Sequence, residues 1–454
     1  MADGSDLLEL ARRVAGAASD HEQIEAYVAR SRETEVRVFD ADVESLSVAG
    51  VDGVGVRVVV AGRQGYAWAG SLDPEVVDDT LAEARDNAAF GEPDEWNGLA
   101  TPEEAARGVE PAALDVWREE LLDAGTDEKV AIALELECAT RAADERVRGV
   151  EHAGYGDSAV EAAVANSLGL ESVTRRTLCS CSALALAGDE AATQTGSGFS
   201  AGRTVADLDV GEAAADAAER AVRLLGAAQP PSRRLPVVLD PLVTRSLLGI
   251  LGAALGGEAV LKGRSMFAGR EGEEVAAATV TLVDDPTTPD AFGAVSHDSE
   301  GVPTRRVELI AGGRLAGFLH NVYTGRRSGT ATTGSAARGG FKSAPAVAAR
   351  ALHLVPGDCT PEEILASVPE ALYVQSVSGL HSGTNPVSGD FSVGVEGLMV
   401  RGGAFAEPVR EVTIASTLQR MLLDVHQVGS DLTWLPGGAA GMTLLVGEMT
   451  RGGA

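Results

Sequence analysis

Lysine is almost missing from this chain of 454 residues: Lys129, Lys262 and Lys342 are its lysines, and arginine supplies the other positive charges. Lys+Arg number 37 against 67 Asp+Glu, for a formal net charge of −30. A field of that sign repels phosphate backbones and anionic lipid. No basic run offsets it, since Arg305-Arg306 and Arg326-Arg327 are isolated pairs. Nucleic acid and membrane surfaces are therefore not expected as partners. Long apolar runs are missing too. The stretch most worth testing, Leu247 to Leu255, is far short of the roughly 20 residues a bilayer core requires. The opening MADGSDLLELARRVAG has no basic segment feeding an apolar one, so no signal peptide is expected and the expected location is cytoplasmic. Cysteine is scarce: Cys138, Cys179, Cys181 and Cys359 are too few and too scattered for a disulfide framework. Cys179 and Cys181 would share one face of a strand, but without a second ligand pair they read as buried free thiols.

What is present describes a globular protein of two or three domains, with 45% hydrophobic residues and a length beyond one ordinary core. The acid excess fits plain solubility and also a salt-adapted cytosol. The spacing of Leu7, Leu8, Leu10, Ala11 and Val14 predicts a helix over Asp6–Ala18. Alternating segments at Glu25–Ser31, Glu35–Asp40, Val43–Val48 and Gly55–Ala61 read as strands. A turn at Gly62–Gly65 leads into Tyr66–Ala69, and Asp73-Pro74 opens a helix over Glu75–Ala89. The order then recurs: helix Thr126–Ala143; strands Val147–Ser158, Glu161–Ser167, Thr177–Ala187 and Glu190–Ser197; helix Gly211–Leu225. This predicts an α+β amino-terminal region, residues 1–228, of two related helix/antiparallel-sheet units at about 1–95 and 120–228, facing each other. Gly91–Ala113 between them reads as an acidic, proline-containing connector. Gln229–Arg234 reads as a boundary. Beyond it, 235–454 is expected to be a β-rich carboxy-terminal domain, with helices at Asp240–Leu255 and Pro361–Ser367.

Three ordered blocks of that second half carry a resemblance. Phe292 to Arg306 contains Asp298-Ser299-Glu300-Gly301 and Thr304-Arg305-Arg306, followed by Val307–Ile310, Gly313-Arg314-Leu315 and Tyr323-Thr324-Gly325-Arg326. Ser378 to Ser392 is glycine-rich and ends in Ser388-Gly389-Asp390-Phe391-Ser392; Glu407–Ala415 follows a hairpin at Gly402-Gly403. In order and spacing these resemble the TldD/PmbA family of metallopeptidases, from about residue 25 to the end. The resemblance implies a paired arrangement. One member, TldD, bears His-Glu-x-x-x-His on a helix opening the carboxy-terminal domain, with a further cysteine ligand near its end. Two histidines on one helical face leave zinc an open position for water, and the glutamate takes that water's proton. The equivalent helix here, Val243–Leu255, holds no His, Cys or acid, and Pro436–Met442 holds no Cys. The resemblance is therefore to the PmbA/TldE-type subunit. It implies no catalytic residue, no metal ligand and no cofactor in this chain, with zinc in a TldD-like partner.

Other motifs are weaker. His21-Glu22 opens like a zinc-peptidase motif, but Glu25 and Ala26 stand where a second histidine would be needed. Gly198-Phe199-Ser200-Ala201-Gly202 matches a nucleophile-elbow string, which requires a strand entering and a helix leaving directly; a polar loop is expected there instead. Adjacent residues such as His297-Asp298-Ser299 and His381-Ser382 rarely face one another as a triad requires. Within the family-like blocks, His297, Asp298, Glu300, Arg305, His381 and Asp390 are the candidates for lining a substrate cavity. The structural alternative is that Asp298 and Asp390 cap turns beside Gly301 and Gly389. The resemblance implies a heterodimer acting on unfolded or leader peptides, natural-product maturation being one setting, with peptide laid along a strand edge. Two other functions remain open: a metal-independent hydrolase or amidase using Ser200, Ser299 or Ser382, and a homodimeric peptide-binding protein.

Overall fold

The computed structural model describes residues 4–106, 109–189 and 192–453. Helix α1 (Ser5–Ala15) leads into β1 (Glu22–Phe39), β2 (Asp42–Val60) and β3 (Arg63–Ala69), and α2 (Pro74–Phe90) follows. The order repeats as α3 (Thr126–Ala142), β4 (Val147–Asn166), β5 (Glu171–Ala187), β6 (Gln194–Gly202) and α4 (Val210–Val222). The expected strand at Glu190–Ser197 falls partly outside the described residues. The two units share one antiparallel sheet, ordered β3-β2-β1-β4-β5-β6. They join edge to edge through β1 and β4, from Glu25↔Asn166 to Val38↔Ala153, rather than facing each other as two sheets.

Several strands are longer than their sequence suggests. Residues 22–39 form one strand although Arg30, Arg32 and Glu33 interrupt its apolar alternation. Arg30 is accommodated because Asp6 and Asp52 accept from its guanidinium and Glu161 lies within ion-pair distance. Side chains alternate between faces along a strand. Ile24, Ala26, Val28, Ala163 and Ala165 pack with Leu7, Ala11, Val77 and Leu81 of α1 and α2. Val36, Val38, Ala153 and Tyr155 pack with Ala133 and Leu136 of α3 and Ala213, Ala217 and Ala221 of α4. These residues share parity on β1 and on β4, so all four helices cover one face. The other face, carrying Glu25, Tyr27, Arg57 and Arg176, is left to meet the second half of the chain.

That half is built on β7 (Arg233–Leu239), which pairs parallel to Glu370–Ser378 and antiparallel to Leu444–Gly452. Glu370–Ser378 continues into Asp390–Arg401 and then Ala404–Thr417. Thr413, Ile414 and Ala415 pair back onto Leu444–Gly452, closing the sheet into a barrel. Closure removes the open edges that a flat sheet would expose. Leu239, Val374, Val393, Ile414 and Val446 belong to its apolar filling. The sequence pattern shows the strands of this domain but not their closure. Helix α5 (Pro241–Ala254) leaves β7 directly: Pro241 sits at its first turn, and the Asp240 carboxylate accepts from the Leu242 N–H at 2.9 Å. Asp240 also accepts from Arg220 at 2.8 Å and from the Tyr373 hydroxyl at 2.6 Å, tying α4 to the barrel. Among the described residues, no helix is long and apolar enough to cross a membrane.

Candidate functional site

Two places bring chemistry-bearing elements together. The first is the seam between the uncovered sheet face and the loop after Ala291. Glu25, Arg57 and Glu300 are buried there and linked. Arg57 Nη2 donates to Glu25 Oε2 at 2.7 Å and to Glu300 Oε1 at 3.0 Å. Arg338, with only 1% of its side chain exposed, donates to the other Glu25 oxygen. Glu300 Oε2 accepts from the Val322 N–H at 2.9 Å. Burial pulls the Arg57 guanidinium down, but the two carboxylates outweigh it and hold its pKa above the ordinary value. Burial would push Glu25 up; Arg57 and Arg338 reverse that and hold it below the usual carboxylate range.

Asp298 turns the same loop. Its Oδ1 accepts from the Glu300 N–H at 2.9 Å and the Val302 N–H at 3.0 Å, and its Oδ2 from the Ala336 N–H at 3.0 Å. Burial, then the neighbouring Glu300 charge, push its carboxyl up to about 7. Close approach extends to β2. A Cβ on Gly55 would lie 2.1 Å from the Tyr66 hydroxyl and 2.4 Å from the Phe341 carbonyl, so only glycine fits beneath that loop.

The other candidates make no hydrogen bond to the Glu25–Arg57–Glu300 cluster among the described residues. The His297 Nδ1 lies 3.1 Å from the Ser296 hydroxyl, and burial lowers the ring's pKa. Arg305 donates to the Thr332 carbonyl. His381 is exposed in the short turn Leu380–Gly383. Asp390 is exposed and accepts from the Ser388 hydroxyl at 2.7 Å. The cap of the Gly389 turn is Asn385, whose side-chain oxygen accepts from Val387 and Ser388 N–H groups. Among the described residues no hydrogen bond or ion pair joins His381 or Asp390 to the 297–300 loop. Tyr323 and Arg326 fasten the connector: the Tyr323 hydroxyl donates to Asp94 at 2.9 Å, and Arg326 to Glu104 at 2.8 and 2.9 Å.

Among the described residues, Ser200, Ser299 and Ser382 make no hydrogen bond to a histidine. Ser200 lies within β6, its hydroxyl accepting from the Asp209 N–H, so no strand–turn–helix elbow forms. The Ser382 hydroxyl donates to the Gly379 carbonyl. The Ser299 hydroxyl is buried and has no hydrogen-bond partner among the described residues. Cys179 and Cys181 are buried beside α4, and burial pushes the Cys179 thiol up to about 12, which suits packing rather than reactivity.

The second place is a cavity of about 520 Å³ beside α5. Arg245, Ser246, Gly249, Gly252 and Ala253 line it from the helix, Val347 to Ala349 and Leu352 from the facing chain, and Gly438 and Ala439 from the late loop. Arg245 donates to the Pro436 carbonyl and fixes that loop to the helix. The two segments that would carry the two halves of a zinc site in a TldD-like protein thus meet at one cavity. Zinc needs imidazole, thiolate or carboxylate ligands, and this lining offers none, so the residues present do not fit it. Among the described residues, no group of three or more His, Cys, Asp or Glu could hold a metal ion. Sequence reasoning found the helix and the loop but not the cavity between them, nor the seam residues Glu25, Arg57 and Arg338.

Comparison with known proteins agrees with this architecture. Residues 24–88, 119–225 and 232–453 match the sequence profiles of PmbA/TldA metallopeptidase domain 1, central domain and C-terminal domain. The chain is 27% identical to metalloprotease PmbA of Escherichia coli O157:H7, over 90% of this chain and 88% of that one. It is 32% identical to a metalloprotease of Methanothermobacter thermautotrophicus, a match that spans 53% of each chain, about half the relative's length. Among solved structures, a candidate modulator of a DNA gyrase from Thermotoga maritima superposes with TM-score 0.89 at 26% identity, covering 98% of this chain and 99% of that one. TldE from Thermococcus kodakarensis has the same fold, with TM-score 0.89 at 23% identity and 99% of each chain covered. With an antiparallel amino-terminal sheet, a carboxy-terminal barrel and all three profiles in order along it, the chain belongs to the PmbA/TldD metallopeptidase family.

Proposed function

We propose that this protein is the metal-free, non-catalytic subunit of a two-protein peptidase, in the manner of TldE beside TldD. The observation that carries the reading is the cavity at α5. It keeps the meeting of helix and late loop, yet Arg245, Ser246, Gly249, Gly252 and Ala253 stand there without one metal ligand. A zinc-bearing TldD-like partner would supply the metal and the activated water. This chain would complete the chamber and hold the substrate, an unfolded or leader peptide, in a heterodimer. The facing chain Val347–Ala349 and the small side chains of α5 leave room for an extended backbone, which is how strand addition recognises peptide without reading its sequence. The charged seam then holds the sheet to the loops of the second half of the chain, and Asp298 and Glu300 act there as supports rather than substrate contacts. The same reading divides the chain into 1–228 and 235–454, with Arg220–Asp240 bridging the two.

The test is reconstitution. The chain purified alone is expected to bind no stoichiometric zinc and to cleave no unfolded peptide, and to give zinc-dependent cleavage once mixed with its TldD-like relative. One tightly bound zinc per lone chain would overturn the reading, as would turnover by the lone chain. Sizing with and without the relative separates a heterodimer from a homodimeric peptide binder.

A further inference from the structure

The seam holds a second, smaller pocket of about 60 Å³ between the uncovered sheet face and the 295–299 loop, with Arg176, Arg350, Ser299, Tyr27, His297 and Asp298 among its lining. Most arginines around the seam have an acid. Arg57 and Arg338 pair with Glu25, Arg175 with Glu119 and Glu161, and Arg326 with Glu104. Arg176 is different: it is half-buried, and among the described residues no carboxylate or carbonyl accepts from its guanidinium. Burial, then the charge of Arg350, lower its pKa. Arg350 donates through Nη2 to the Ala336 carbonyl at 3.0 Å, but its buried Nε is unpartnered, as is the buried Ser299 hydroxyl. The one carboxylate in the lining, Asp298, already accepts from three backbone N–H groups.

Withdrawing a guanidinium from water without an ion-pair partner is costly; among the described residues neither Arg176 nor Arg350 forms an ion pair, and Asp284, the acid that feels the Arg350 charge, is bound to the Arg350 and Ala351 N–H groups. Their side chains and that of Ser299 line a space only a few heavy atoms wide. We infer that this pocket is an anion site, in which Arg176 and Arg350 grip a single carboxylate or phosphate head group and the Ser299 hydroxyl donates to it. Guanidinium forks suit both head groups, and the volume leaves the rest of any larger ligand outside. The site does not depend on the subunit role proposed above.

The test is isothermal titration of the full chain with inorganic phosphate and with acetate, chloride holding the ionic strength constant. Matched short peptides ending in a free acid or an amide form a further arm. Saturable binding of at least one anion is expected, weakened about tenfold or more by Arg176→Met, as loss of a charge-assisted hydrogen-bond donor implies, and more modestly by Ser299→Ala. Preference for the free acid over the amide assigns the site to a peptide carboxylate; phosphate binding without that preference assigns it to free phosphate. In anion-free buffer Arg176→Met should melt no lower than the wild type, because it removes a half-buried charge that has no ion-pair partner, so its loss of binding would not be unfolding. No saturable binding of any probe overturns the assignment, as does binding undiminished in both variants. An Arg176→Met chain melting well below the wild type overturns it too, by revealing a protein partner for that guanidinium.

Discussion

The seam around Glu25 and the cavity beside α5 are opposites in composition. The seam is dense with carboxylates and guanidiniums, yet nearly all are consumed by one another or by backbone N–H groups. The cavity is made of glycine, alanine, valine, one leucine, one serine and one arginine, yet it is open and sits where α5 meets the late loop. On the proposed reading, reactive residue types are a poor guide to where this chain would meet a substrate. What matters is whether a group's hydrogen-bonding capacity is already spent.

The contrast is most strongly tested by breaking the seam. Glu300→Ala leaves Arg57 short of one partner and the Val322 N–H unpaired, at a cost of about 3–5 kcal/mol as for other broken buried ion pairs. Urea denaturation measures it. A change below about 1 kcal/mol would mean the seam does not hold the two halves together.

Next in size is Asp298→Asn, which puts an amide N–H against the Ala336 N–H or forfeits an acceptor, for about 1–3 kcal/mol. It also has a pH signature. With its folded pKa pushed up to about 7, Asp298 keeps a proton that the unfolded chain has released above about pH 4. Its stabilising contribution is thus complete below about pH 4 and is lost as pH rises through 7, by at most about 1.4 kcal/mol per unit. Asp284, pushed up to about 6 chiefly by burial, adds to the same slope. Denaturation series between pH 5 and 8 should show a flatter slope for Asp298→Asn than for the wild type.

The cavity should respond in the other direction. Gly249 lies inside α5 with nothing within 4 Å of a built Cβ. Gly249→Ala should raise stability by about 0.5–1 kcal/mol through helix propensity alone. Gly249→Leu should fold equally well but lower peptide cleavage by the reconstituted pair, because it fills the groove. Full activity of the leucine variant would remove the cavity from substrate handling. The smallest effect is expected at His381→Ala, within about 0.5 kcal/mol, since that ring is exposed and bonded to nothing described.

How much of this was legible in the sequence follows from local physics. The helix–strand order of both amino-terminal units was readable because its periodicities are local. The way the units join was not, because β1–β4 pairing links residues more than a hundred positions apart. Helix α5 announced its start through Asp240-Pro241, and its lack of zinc ligands is a plain reading of residue types. Barrel closure rests on three residue pairs between Thr413–Ala415 and Thr450–Gly452, which carry no signature of their own. Arg57 could have been suspected: a lone charge amid Val54, Val56, Val58 and Val59 must find a buried acid or break the strand. Its partner Glu300 lies 243 positions away, and no spacing rule reaches that far. Asp390 stands beside Gly389, so its residue type fits either a cavity lining or a turn cap; the side chain that caps this turn is Asn385.

The most direct test of the central claim is metal content and peptide hydrolysis measured on one preparation of the lone chain, then again after adding the TldD-like relative. The account predicts substoichiometric zinc and no cleavage at first, then zinc-dependent cleavage that Gly249→Leu in this chain diminishes. One zinc per chain together with cleavage by the chain alone would contradict it.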